Sequence, residues 1–140
     1  MAQTYATEIS GQSSVPTTMA NGGVVGGRIR RFRATVTLAS QADGDTIVLA
    51  KLPAGFAFAY GIINASATLG TSTVAIGTAA SAGKYRAAAV FTAAVPTLFG
   101  AVAAVDDAAL TAEETVIATV GAAALPSSGT MVVDIYASAP

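Results

Sequence analysis

The sequence predicts an all-β protein, a single β-sandwich or jelly roll of about eight strands with an extended N-terminal arm. Three observations predict it. Apolar residues recur with period two, turn residues punctuate the chain at roughly 8- to 12-residue intervals, and no stretch shows the three- and four-residue apolar spacing of a convincing amphipathic helix. The length, 140 residues, is that of one domain with a tail. Charged residues make up 11% of the chain, against about 25% in an average soluble domain, while the hydrophobic set reaches 53%, much of it alanine. A surface this poor in charge, at a formal net charge of −1, repels its own copies weakly and favours association.

The segments Gln12-Ser13-Ser14-Val15-Pro16-Thr17-Thr18 and Asn21-Gly22-Gly23-Val24-Val25-Gly26-Gly27 cannot sustain a core, so residues 1–27 form an arm and residues 28–140 the sandwich. The arm is expected to lie along a neighbouring subunit, with Val15, Pro16 and Met19 among its contact residues. From Arg28 the first strand places Phe32, Ala34, Val36 and Leu38 on one face and Arg31, Arg33, Thr35 and Thr37 on the other. Asp43-Gly44-Asp45 is a turn, since Asp and Gly accept tight backbone geometry, and Thr46 to Leu52 follows as a second strand. After Pro53-Ala54-Gly55, the alternation of Phe56, Phe58 and Tyr60 with small residues predicts a third strand that puts these aromatics on one core face. Runs over 65–69 and 71–78 flank Gly70 and predict a hairpin. Alanine blurs the periodicity of 84–92 and 98–105, which are read as strands in preference to a short helix. Thr115 to Gly121 and Thr130 to Ala137 close the sheet set, the latter alternating Met131, Val133 and Ile135 against Val132, Asp134 and Tyr136.

Chemistry is sparse. With no His and no Cys, the commonest general base and the thiolate nucleophile or metal ligand are missing. A Ser–Lys pair would have to use Lys51 or Lys84, neither of which sits in a recognisable motif. The pairs Asp43/Asp45, Asp106/Asp107 and Glu113/Glu114 read as turn caps and solubilising loop charges, because a hard cation wants six to eight clustered oxygens. The glycines at 22–23 and 26–27 lack the Gly-Lys-Ser/Thr ending of a phosphate loop and read as a hinge. No catalytic residue, cofactor or metal is therefore expected.

The uncharged run from Ala87 to Val105 is long enough to cross a bilayer, yet Pro96, Gly100 and its alanines argue for buried strands and a loop. The N-terminal residues carry no basic segment followed by an apolar one, so synthesis in the cytoplasm is expected. The densest charge feature is Arg28, Arg30, Arg31 and Arg33. On a strand Arg31 and Arg33 share one face while Arg28 and Arg30 lie on the other, and nothing extends them into a broad basic surface, so acidic groups of a neighbouring subunit fit them better than nucleic acid does.

The succession from Asp43 to Gly55 (DGDTIVLAKLPAG), then Ile62 to Thr73 (IINASATLGTST), Ile76-Gly77-Thr78, Glu114 to Val120 (ETVIATV) and Gly129 to Tyr136 (GTMVVDIY) resembles small structural proteins of tailed-bacteriophage virions. The resemblance spans residues 28–137 and carries over no catalytic residue. It implies a capsid decoration or cement protein of the virion, a homotrimer whose partners are the major capsid protein or neighbouring subunits. A coat, neck or tail subunit and a carbohydrate-binding or adhesion module are the alternatives.

Overall fold

The computed structural model describes Pro16, Thr17, Met19 and residues 25–140. Most of the arm expected at 1–27, Val15 included, lies outside the described residues. The elements run β1 (Arg28–Thr37), β2 (Thr46–Leu52), β3 (Ala57–Ala65), β4 (Thr73–Gly77), β5 (Arg86–Val90), β6 (Thr97–Phe99), α1 (Ala101–Asp106), β7 (Glu114–Gly121) and β8 (Thr130–Ala139).

They form two antiparallel four-stranded sheets, β1-β8-β3-β6 and β2-β7-β4-β5. The pairings nest: β1 with β8, β2 with β7, β3 with β6 and β4 with β5. A chain folded as one long hairpin about the β4–β5 turn and then rolled into two layers gives this order, so of the two architectures expected it is the jelly roll. The core between the layers is lined by the alternation read in β8, where Met131, Val133, Ile135 and Ala137 are fully buried, by Ile63 beside them on β3, and by Ile76, Val116 and Val120 of the facing sheet. Buried alanines at 65, 118 and 137 let the layers approach closely. The Asp43 turn forms as expected: Gly44 adopts φ 92° and the Asp45 carboxylate accepts the Ala42 amide at 2.8 Å.

Three expectations are corrected. The hairpin at Gly70 does not exist, because β3 runs only to Ala65 and pairs in one sheet while β4 pairs in the other. The intervening chain crosses between the layers, and Leu69 plugs the core on the way. Tyr60 does not share a face with Phe58: the register shifts between them, and this bulge turns Phe58 into the core and Tyr60 outward onto Tyr136. The run 98–105 is not a strand. Only Thr97–Phe99 pairs, and the chain then turns at Gly100, with φ 91°, into the short helix α1. Phe58 packs so closely on Gly100 that a Cβ there would collide with its ring, which holds α1 beside β3.

Among the described residues no helix is long and apolar enough to cross a membrane. The uncharged run 87–105 is divided among β5, a loop, β6 and α1.

Candidate interface surfaces

At the end of the sandwich where β7 begins, the side chains close on one another. Lys84 Nζ donates to Glu114 Oε2 at 2.5 Å, and the Tyr85 hydroxyl donates to Glu114 Oε1. Tyr85 is buried, and it stacks on Phe58 at 4.4 Å between ring centroids. Burial, then the hydrogen bond to Glu114 and its negative charge, push the Tyr85 phenol well above its ordinary value. Arg86 donates to the carbonyls of Val74, Ala89 and Val90, and burial lowers its pKa. A cleft of about 290 Å³ opens here, lined by Phe58, Lys84, Tyr85, Asp106, Leu110 and Glu114. Lys84 is tied to a carboxylate, as is Tyr85, so the arrangement clamps β5 to β7 and presents no activated nucleophile. Lys51 forms an exposed pair with Glu113 at 3.8 Å. Among the described residues no three acidic, His or Cys side chains are grouped to hold a metal ion.

The sequence-predicted arginines separate into two sets. Arg33 faces outward opposite Asp134 in the β1–β8 ladder and bonds it at 3.2 Å within the same chain. The other Asp134 oxygen, Oδ1, is buried without a hydrogen-bond partner. It lies in a depression of about 290 Å³ lined by Arg33, Ile62, Asn64, Pro96 and Val132. Arg28, Arg30 and Arg31 are exposed on β1, the outermost strand of its sheet. Of the arm residues, Pro16 and Met19 are both exposed.

Sequence reasoning missed a second surface. Leu98 on β6 and Val102 and Val105 on α1 are 70%, 78% and 84% exposed. Of the three, Leu98 lines an apolar hollow of about 210 Å³ with Tyr60 and Ala104, and there Tyr60 stacks on Tyr136 with centroids 4.6 Å apart. Reading 98–105 as a buried strand concealed them; the three-residue spacing of Val102 and Val105, a helical spacing, was the available signal.

No family model matches the sequence, and no curated protein does. By shape, the chain matches chains of solved phage capsids. One is in the capsid of Ralstonia phage GP4, at 20% identity and a TM-score of 0.66, covering 81% of this chain and 86% of that one. Another is in the capsid asymmetric unit of cyanophage Pam1, at 20% identity and a TM-score of 0.63, covering 88% and 93%. A third is in the acid-stable capsid of Helicobacter pylori bacteriophage KHP30, at 15% identity and a TM-score of 0.61, covering 80% and 88%. The fold is thus shared over 80–88% of this chain with capsid chains of similar length.

Proposed function

We propose that the chain is a structural protein of a tailed-phage virion, located on the capsid, where it decorates and stabilises the shell by packing at subunit junctions. The observation that carries the proposal is the near-complete overlap with capsid chains of similar size: what those particles contain is a chain consisting of little more than this one jelly roll. The physical properties agree. A body of low charge with exposed Leu98, Val102 and Val105 gains free energy by burying them against other copies, at about 25 cal/mol per Å² of apolar surface. The described side chains that would have to act in catalysis, Lys84, Tyr85 and Glu114, satisfy one another. The arm, residues 1–27, is assigned to contact with a neighbouring subunit, and the oligomer to a trimer.

The test is co-sedimentation of the purified chain with shells assembled from the coat protein of the same phage. Saturable binding at a fixed ratio to coat subunits is expected. If the chain alone forms closed shells or tubes of megadalton mass, it is the coat subunit. If it neither binds shells nor forms them, the virion assignment fails.

A further inference from the structure

We propose that copies of this chain associate head to tail through the two opposite edges of the β1-β8-β3-β6 sheet. Arg28, Arg30 and Arg31 on the β1 edge of one copy meet Asp106 and Asp107 at the α1 edge of the next. This deepens the oligomer part of the proposed function and rests on it for biological context, but it is carried by charge placement in the fold.

Among the described residues most charges have a partner. Arg33 pairs with Asp134, Lys51 with Glu113, and Lys84 with Glu114. Arg86 is held by backbone carbonyls, and Asp45 accepts a turn amide. What remains is three arginines on one edge strand and the carboxylates Asp106, Asp107 and Asp43, the last in the turn at the other end of the sandwich. The unpaired charges of the sheet are thus sorted by sign onto its two edges.

The edges are also level. Ile29 pairs with Ser138, Ser138 pairs with Ala57, and Ala57 bridges to Ala109, so one ladder row crosses the sheet from edge to edge. The arginines flank one end of this row and Asp106–Asp107 precede the other by two or three residues. Three strand spacings, roughly 14 Å, separate the ends, which exceeds the screening length of about 8 Å in physiological salt. Within a copy the two sets therefore do not neutralise each other. Between copies, a rotation about an axis parallel to the strands brings them together at the same height. Ile29 on the basic edge and Val102 and Val105 on the acidic one, all at least half exposed, supply apolar area to the same contact. Because the two patches differ, the contact is heterologous, and a rotation that closes gives a small ring.

Charge reversal tests this directly. R28E/R30E/R31E and D106K/D107K should each reduce the native mass, followed by mass photometry over a concentration series, to the 13.7 kDa of one chain. A chain carrying all five changes should recover the wild-type mass, since the signs are complementary again. The milder R28Q/R30Q/R31Q should weaken association by about tenfold or more, and half-molar salt should do the same to the wild type. Circular dichroism verifies that each variant is folded. A folded reversal variant of unchanged mass, a five-fold variant that stays monomeric, or a monomeric wild type overturns the inference. A monomeric wild type that still co-sediments with shells overturns it while leaving the virion assignment standing. A ring that ignores shells does the reverse.

Discussion

The β5–β7 corner and the two edges of the β1-β8-β3-β6 sheet carry charge at the same end of the sandwich, but they use it differently. In the corner Lys84, Tyr85 and Glu114 face each other across a partly buried gap, and each bond is made within the chain. On the edges Arg28, Arg30 and Arg31 and, across the sheet, Asp106 and Asp107 are exposed, Asp106 at the rim of the corner cleft. A chain with only 11% charged residues has used some of them to fix its own fold and kept others on the rim. Exposure of a charge says little by itself; what separates the two regions is whether the fold pairs the charge within the chain, as it pairs Lys84 with Glu114.

Breaking the corner should have the largest effect. Phe58→Ala removes the ring that stacks on Tyr85 and packs on Gly100, and should cost about 3–5 kcal/mol in denaturant unfolding. Next, Glu114→Gln deprives Tyr85 and Lys84 of a charged acceptor and should cost about 1–3 kcal/mol by the same measurement. The pH dependence sharpens the point. A phenol raised on folding holds its proton more tightly in the native state, so its stabilisation is complete below the ordinary value of 10.0 and is lost as pH rises beyond it. Wild-type stability should therefore fall more steeply above pH 10 than that of Tyr85→Phe, and equal slopes would sink this account of the corner. Arg33→Ala leaves the largely buried Asp134 without its half-exposed partner and should cost about 1 kcal/mol. The smallest effect belongs to the rim: R28Q/R30Q/R31Q should change the stability of the isolated chain by less than about 0.5 kcal/mol, because no bond within the chain is lost. A larger loss would mean that the arginines belong to the fold after all.

Much of the fold is legible from residue order. The alternation in 28–38 and 130–137 gives the correct inner faces of β1 and β8, and Asp43-Gly44-Asp45 gives its turn. The failures have physical causes. Gly70 follows a β-rich run and precedes another, so local pattern favours a hairpin, whereas the roll sends the two runs to different layers. A bulge between Phe58 and Tyr60 inverts the faces, and no residue type announces it. The alanines at 101, 103 and 104 suit a helix as well as a buried strand, so residue pattern alone does not expose Val102 and Val105. The arginines are legible because β1 is strongly patterned, whereas Asp106–Asp107 follow an alanine run without periodicity and carry only the signal of loop charge.

The sequence by itself determined the class of the protein: β-periodicity, frequent turns, alanine-rich strands and the lack of His and Cys follow from composition and near neighbours. Only the tertiary structure decided which strands are neighbours, which charges find partners and which surfaces remain uncovered. Ile29, Ser138, Ala57 and Ala109 form one row although they are scattered along the chain, and that row makes opposite edges of the basic and acidic groups. Local preferences act over a few residues, whereas the pairing of distant strands is selected by burial of the whole core at once.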